Sequence, residues 1–398
     1  MSPRRDYDVL IAGAGMVGAG LAACLATGEA TRRLRIALVD PNPALPPLPG
    51  EPLDLRVSAV SRAGEQLLRS SGAWPLLASR GPCAYERMVI WDGAAAPGGP
   101  DTLVFDAAEV GEPNLGHIVE NRAIAAALVE RAIAAGVTLV RDSVTALTLA
   151  RDVATATLAG REVPVGLVVA ADGADSPLRR LAGLGGELLA YPQEAVVCHL
   201  SPAEAHRGTA HQHFLDDGPL ALLPLADGRV SLVWSTTPAA AAALVALDDE
   251  AFAIAVTRAS AGVLGLLTPT TPRLKFPLRH FNAQTYAATR FALVGDAAHT
   301  VHPLAGQGVN QGFLDALALA TELGAELARG GDPGDPGPLG RYARARRADN
   351  ALMGAALDAI YRTFTDGRPF VMMGRRTALR LANHGGPLKQ FLVSRALG

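Results

Sequence analysis

The chain opens with an alternation of short apolar runs and one helical segment. An apolar run ends at Ala12, a glycine-rich turn follows, an Ala-rich stretch continues to Thr27, and a second apolar run covers residues 36–39. Short apolar runs beside glycines are typical of buried strands, whereas the longer Ala-rich stretch is typical of a helix. The start of the chain therefore predicts a βαβ unit.

The pattern between residues 62 and 171 predicts further parts of the same layer. Helical spacing covers residues 62–70 and 122–135, and apolar runs of strand length cover residues 137–140 and 167–171. We expect the two strands to return to the sheet of the first unit, because both are apolar throughout, as strands covered on both faces are.

The texture changes between residues 191 and 278, where short alternating runs such as 229–234 predict a separate sheet. A strand at 291–294 and a long helix from about Gly308 then return to the first layer. A Gly- and Pro-rich linker at 330–340 precedes helical segments that reach the C-terminus.

Composition narrows the class of protein. The chain has 398 residues, of which 49% are hydrophobic and 19% charged, and its formal charge is −2. We expect a folded protein of two domains without affinity for nucleic acid. Cys24, Cys83 and Cys198 form no CxxC, which disfavours a disulfide framework or a metal site. No signal peptide and no apolar stretch of roughly 18 to 20 residues is found, so we expect a cytoplasmic protein that at most touches a membrane surface.

A dinucleotide fingerprint lies between the first strand and the first helix. Gly13 permits the tight turn, Gly15 lets backbone amides approach a pyrophosphate, and Gly18 allows close helix packing. Asp40 ends the next strand, 22 residues after Gly18, and can accept from a ribose hydroxyl. The alternative is a glycine turn of an ordinary α/β sheet, and the motif alone does not separate FAD from NAD. The predicted contacts in this turn are Gly13, Gly15, Met16, Val17 and Gly18.

A second motif favours FAD. Asp296 follows a strand and can accept from a ribityl hydroxyl, and the amides at the start of the helix near Gly308 can face the partly anionic ring of a reduced flavin. Glycines in the intervening loop let the backbone lie beside a flat ring. The predicted FAD contacts here are Gly295, Asp296, Pro303, Gly306, Gly308, Val309 and Asn310, and the loop residues expected beside the reacting ring are Pro303, Gly306, Gln307 and Gly308.

Three segments in order carry a family resemblance. They are the turn at residues 13–18, the DG segment that begins at Asp172, and the GD segment at residues 295–296. With them the chain resembles the group A flavoprotein monooxygenases, and the sequence of residues 297–310 resembles that of the ubiquinone-biosynthesis hydroxylases. The resemblance implies that Arg56 and Arg122 lie near the flavin and its pyrophosphate and that Asp172 positions FAD and the reductant. Without it, the two arginines would be interpreted as surface or salt-bridge residues.

The resemblance also implies a reaction. NAD(P)H would reduce FAD, O₂ would form the C4a-hydroperoxyflavin, and this species would hydroxylate a lipid-tailed phenol or quinol of ubiquinone biosynthesis. The chain has no second GxGxxG between a strand and a helix, so we expect NAD(P)H to bind only transiently. Two alternatives remain open: another flavoenzyme on the same scaffold, such as a secondary-metabolite hydroxylase or a prenyl reductase, and a non-catalytic flavin-bound scaffold in a ubiquinone-synthesis complex.

Several histidines allow more than one interpretation. His299 and His302 flank the flavin loop and could act as bases or, as we prefer, support loop backbone groups. His211, His213 and Trp234 could line the substrate pocket, although the solvent face of a strand also explains the two histidines. No third ligand accompanies them, so no metal is expected.

The predicted architecture is α/β, with a Rossmann-like three-layer FAD-binding domain, an interleaved β-sheet substrate domain and a helical C-terminal part. The predicted domains are 1–75, 110–185 and 280–330 for FAD, 76–109 and 186–279 for the substrate, and 331–398 for the helical region. Arg375, Arg376 and Arg380 belong to a basic tail that could meet the surface of the inner membrane, a partner in a ubiquinone-synthesis complex, or only solvent.

Overall fold

Strands and helices follow each other along the whole described chain. The computed structural model describes residues 5–48, 50–93, 95–99, 101–300, 308–365 and 368. The strands are β1 (Tyr7–Ala12), β2 (Ile36–Val39), β3 (Val57–Ser61), β4 (Cys83–Tyr85), β5 (Arg87–Asp92), β6 (Leu103–Asp106), β7 (Gly116–Glu120), β8 (Thr138–Val140), β9 (Val144–Leu149), β10 (Ala154–Leu158), β11 (Arg161–Ala170), β12 (Gly186–Pro202), β13 (Thr209–Leu215), β14 (Gly218–Pro224), β15 (Val230–Thr236), β16 (Leu267–Pro269), β17 (Leu274–Ala283), β18 (Ala287–Ala288), β19 (Phe291–Leu293) and β20 (His299–Thr300). The helices are α1 (Met16–Thr27), α2 (Arg62–Ser70), α3 (Trp74–Leu77), α4 (Asn121–Ala134), α5 (Pro177–Leu181), α6 (Pro238–Ala246), α7 (Asp249–Ala259), α8 (Gly308–Ala328) and α9 (Pro336–Thr365).

The first sheet is built around parallel strands in the order β19-β11-β1-β2-β8. Consecutive residues of β1, from Val9 to Ile11, are fully buried, since protein covers both faces of this sheet. Helix α1 packs against α4 and α8. The prediction of a βαβ unit is confirmed, as is the return of the later apolar runs to its sheet as β8 and β11.

The second sheet has nine strands, in the order β20-β17-β12-β15-β14-β13-β5-β6 with β16 on β12. Successive side chains of a strand point to opposite faces. One face, here called the outer face, carries Leu220, Leu222 and Trp234, which pack with Phe252 and Val256 of α7. The sheet therefore has an apolar core of its own on that side.

The opposite face, here called the inner face, carries Ala210, Gln212 and Phe214 of β13. Ala210 belongs to the same apolar cluster as Ala59, which lies in the small sheet β3-β7-β4. Phe214 stacks on Phe364 of α9, with ring centroids 3.9 Å apart. The inner face is thus closed at one end by the small sheet and at the other by α9, with Gln212 between them.

The C-terminal part begins earlier than expected. Residues 330–340 were predicted as a linker, but α9 already starts at Pro336, because proline is well suited to the first position of a helix. Tyr342 of α9 donates its hydroxyl to the Leu293 carbonyl at 2.6 Å, which joins the helix to β19. Within the described part of the chain, no helix combines the length and apolar character that crossing a bilayer requires.

Candidate active site

The glycine turn packs tightly on one side and is open on the other. Gly13 has φ +104°, and a β-carbon there would collide with the Ala171 carbonyl. A β-carbon at Gly18 would collide with the Gly13 carbonyl, whereas none of the described atoms lies within 4 Å of one at Gly15. Gly15 is also the N-cap of α1 and supplies no side-chain hydrogen bond to the helix start. Backbone amides at this open surface are therefore available to an anionic ligand.

Asp40 ties the end of β2 to this turn. Its Oδ2 accepts from the Ala14 amide at 2.7 Å, and its Oδ1 accepts from the Asn42 amide at 2.8 Å. A carboxylate has about four acceptor positions, so these bonds leave room for the predicted ribose hydroxyl. That contact stays a prediction.

The DG segment joins the turn to the GD segment. Asp172 accepts from the Ser176 hydroxyl at 2.5 Å and from the Leu178 amide at 3.0 Å, so it fixes the loop that leads into α5. From α5, the buried side chain of Arg179 donates to the Ala297 carbonyl at 2.7 Å. Asp172 and the segment around Ala297 are thereby held in one arrangement. The predicted contact of Asp172 with FAD is not tested by these bonds.

Val17 lies between the glycine turn and the GD segment. A β-carbon at Gly295 would lie 3.1 Å from the Val17 side chain, and one at Gly312 would collide with it. The side chain of Val17 therefore packs three segments together, from α1, the GD segment and α8. Its neighbour Met16 is half-buried.

Asp296 is the acid of the GD segment. Its side chain is exposed, yet the surrounding protein raises the pKa of its carboxyl above the ordinary value, while His299 and Arg56 lower it. The charge of Arg56 thus acts on Asp296, and the predicted place of Arg56 near the flavin stays a prediction.

The second predicted arginine lies in an ion-pair cluster. Arg122 pairs with Glu51 at 2.5 Å, and its Nε lies 3.7 Å from a Glu120 carboxylate oxygen. The side chain is only half-buried. These contacts agree with the salt-bridge interpretation of Arg122, and its contact with a pyrophosphate stays a prediction.

Asn310 uses its side chain to fix the start of α8. Its oxygen accepts from the Ser61 amide and its nitrogen donates to the Ala59 carbonyl, both at 2.9 Å. Val309 is buried, and none of the described atoms lies within 4 Å of a β-carbon placed on Gly308. The other predicted loop residues, His302, Pro303, Gly306 and Gln307, lie outside the described residues.

His299 is buried and bonded to a carboxylate, and its predicted support of loop backbone groups stays a prediction. Its Nε2 lies 2.6 Å from Oδ2 of Asp315, a fully buried residue of α8. Arg346 of α9 donates to the other oxygen at 2.7 Å. Asp315 and Arg346 were not predicted as site residues. The signal was present for Asp315, which is the only acid between Phe313 and Leu319 on the apolar side of a long helix.

The three predicted pocket residues lie on the outer face. The solvent-face explanation of His211 and His213 is wrong, because α6 and α7 cover this side and both side chains are buried. The ring nitrogens of His213 lie 2.7 and 2.8 Å from backbone carbonyl oxygens of Ala259 and Gly93. Burial lowers the pKa of His211 to about 4, and Trp234 packs into the outer core. This placement weighs against all three as pocket residues.

The inner face offers a different polar group. Gln212 is 3% exposed, and its Oε1 has no hydrogen-bond partner in the described structure. A buried carboxamide oxygen without a partner costs about 1–3 kcal/mol. Around it the inner-face residues Val197, Ala221 and Val233 are only half-buried, whereas their outer-face neighbours along the same strands are buried.

Comparison of the sequence with known proteins identifies a family model and two relatives of this chain. A family model described as an FAD binding domain matches residues 106–352. Over 98% of its length the chain is 38% identical to the ubiquinone hydroxylase UbiL of Rhodospirillum rubrum, of which it covers 89%. It is 34% identical to the 3-demethoxyubiquinol 3-hydroxylase of Escherichia coli, with 98% of both chains covered.

Solved structures share the fold at lower identity. PqsL from Pseudomonas aeruginosa superposes with a TM-score of 0.76 at 23% identity, over 94% of this chain and 99% of that one. The p-nitrophenol 4-monooxygenase PnpA from Pseudomonas putida gives a TM-score of 0.76 at 17% identity, over 100% and 99% of the two chains. These likenesses support the predicted α/β architecture with its flavin-binding layer.

Proposed function

The chain belongs to the family of FAD-binding ubiquinone hydroxylases, and from that premise we propose that it hydroxylates the ring of a lipid-tailed phenol or quinol with NAD(P)H and O₂. The observation that carries the proposal is the meeting of three segments. The glycine turn, the DG segment and the GD segment contact each other through Gly13, Val17 and Arg179, which leaves Gly15 and Asp296 on an open surface.

The residues present fit FAD. The open amides at the start of α1 would receive its pyrophosphate, Asp40 an adenosine ribose hydroxyl, and Asp296 a hydroxyl of the ribityl chain. Amides at the start of α8, near Gly308, would face the ring. When bound, FAD supplies electron transfer from NAD(P)H and activation of O₂. The protein binds and orients FAD and the substrate, and it excludes water from them.

We further propose that the inner face receives the substrate ring. Small and half-buried apolar side chains there leave space, and the closed ends at Ala210 and Phe214 limit its extent. Gln212 is one of the buried polar groups of this face, so a hydroxyl or carbonyl of the ring can satisfy its unpaired oxygen or its amide. We also propose the domain bounds that the sequence predicts, with residues 76–109 and 186–279 forming the substrate domain.

Association with the inner-membrane surface or with other proteins of ubiquinone synthesis is also part of the proposal. Its support is the composition of residues 361–398, which hold seven Lys and Arg against one Asp. Arg375, Arg376 and Arg380 lie outside the described residues.

The decisive experiment follows oxygen into the product. Purified protein with FAD, NAD(P)H and a short-chain prenyl phenol is incubated under ¹⁸O₂, and the product mass is compared with that from H₂¹⁸O. Label from ¹⁸O₂ in a hydroxylated ring is expected. Substrate reduced without O₂ would identify a prenyl reductase, and bound FAD without NAD(P)H oxidation or product would identify a non-catalytic scaffold.

A further inference from the structure

A buried polar cluster joins the GD segment to α8 and α9. At its centre is Asp315 of α8, whose side chain is fully buried. Its Oδ1 accepts from Arg346 at 2.7 Å and from Asn350 at 3.2 Å, both on α9. Its Oδ2 accepts from the Gly295 amide at 3.0 Å and lies 2.6 Å from Nε2 of His299. One carboxylate of α8 therefore bonds to four residues, two near the GD segment and two on α9.

The cluster holds its charges in fixed positions. Burial alone would raise the pKa of Asp315, but His299 and Arg346 outweigh it and hold that pKa below its ordinary value. Arg346 is 5% exposed, and its remaining donors bond to Gln311, Asn350 and Asp349 at 2.8–3.4 Å. A charge-assisted network of this kind is geometrically specific, since each donor has a fixed acceptor.

The link to the cofactor surface passes through one amide. Gly295 has φ +59°, a conformation that side-chain-bearing residues rarely adopt, and its N–H points at Asp315. The next residue is Asp296, whose carboxylate is exposed. A shift of Asp315 would release both the Gly295 amide and His299, and it would thereby move Asp296 as well.

We propose that Arg346 is a positioning residue for FAD, which acts through Asp315 on the Gly295–Asp296 segment. Helix α9 is then part of the cofactor site, although it contributes no residue to the dinucleotide fingerprint. The inference rests on FAD binding, which belongs to the proposed function. A purely structural brace would stabilise the fold equally with and without FAD, whereas a positioning residue changes the affinity for FAD.

The test compares two arginines that join the same two helices. Arg346→Met breaks the buried link, and Arg341→Met breaks the half-buried pair with Glu322, which is 2.6 Å long and includes no residue of the GD segment. FAD-free protein of each variant is titrated with FAD, and its Tm is measured with and without FAD. We expect the dissociation constant to rise about tenfold or more for Arg346→Met and by less than about twofold for Arg341→Met. The rise in Tm that FAD produces should shrink only for Arg346→Met.

Two further variants keep the test decisive if Arg346→Met does not fold. Asp315→Asn retains the shape of the central residue, and Arg346→Lys retains a charge but loses the fork to Gln311 and Asn350; both should weaken FAD binding, the lysine variant less. The inference would be overturned if any folded variant of Arg346 or Asp315 bound FAD as tightly as the parent does. Equal losses of Tm with and without FAD would overturn it as well. Failure of the parent itself to bind FAD would instead overturn the proposed function.

Discussion

Gly15→Ala should lower the affinity for FAD without lowering the free energy of unfolding of the FAD-free protein. Gly15 has φ −69° and ψ −178°, which any residue adopts, and the added methyl group would meet none of the described atoms within 4 Å. Alanine restricts the unfolded chain, which stabilises by about 0.4–1 kcal/mol, while it is a poorer N-cap than glycine by a similar amount. The free energy of unfolding of the FAD-free protein should therefore stay within about 1 kcal/mol of the parent.

The same methyl group would stand where a pyrophosphate approaches the open amides. Loss of one hydrogen bond to a charged group costs about 1.5–3 kcal/mol, so we expect a roughly ten- to hundredfold rise in the FAD dissociation constant. The assay combines urea unfolding of the FAD-free protein with fluorescence titration of FAD.

Two glycines of the same helix serve as controls. Gly20→Ala meets side chains of Leu67, Phe313 and Leu128 at ordinary distances of 3.5–3.7 Å, so it should stabilise the helix by about 0.5–1 kcal/mol and leave FAD affinity unchanged. Gly18→Ala collides with the Gly13 carbonyl and should destabilise the FAD-free protein itself. If Gly15→Ala binds FAD as the parent does, or unfolds as easily as Gly18→Ala, the assignment of the open surface is refuted.

Three further predictions concern the cofactor, the substrate and pH. Asp296→Ala should raise the FAD dissociation constant roughly tenfold or more, since its carboxylate is exposed and would accept from a hydroxyl of the ribityl chain; unchanged titration curves would contradict this role. Gln212→Leu should raise KM for the phenol with FAD affinity unchanged, and Gln212→Glu serves as the polar comparison; equal KM values in parent and leucine variant would exclude Gln212 from recognition. His199 is fully buried, and burial lowers its pKa to about 4, so stability present above pH 6.5 should be lost, by up to about 3 kcal/mol, as the pH falls toward 4. His199→Leu should flatten this part of the stability profile, and an unchanged slope would show that His199 does not cause it.

Local patterns were sufficient for the cofactor layer. The βαβ unit follows from apolar runs around a glycine turn, and Gly13 and Gly18 are needed for steric reasons that the motif already implies. The position of Asp40 directly after β2 was predicted because its spacing from the turn reflects one helix and one strand. Such features depend on neighbours that are close in sequence.

Features that depend on distant contacts could not be predicted. The alternation in β13 shows that His211 and His213 share a face, but only the folded chain shows that α6 and α7 cover it. Asp315 and Arg346 lie on different helices, and their meeting depends on how α8 and α9 pack. Asp315 is one of several acids of α8 and Arg346 is one of several arginines of α9, so the sequence does not show which of them pair.

Along each strand of the second sheet, alternate residues belong to the outer core and to the inner face that we propose receives the substrate. Cys198 and Leu222 belong to the core beneath α6 and α7, whereas their neighbours Val197 and Ala221 point to the inner face. A substitution at an inner position leaves that core intact, so binding preference can drift through single-residue changes without a matching loss of stability. Random libraries confined to the half-buried inner positions Val197, Ala221 and Val233 should therefore yield more folded variants than libraries at outer positions, and the sheet can change the molecules it accepts while its architecture stays the same.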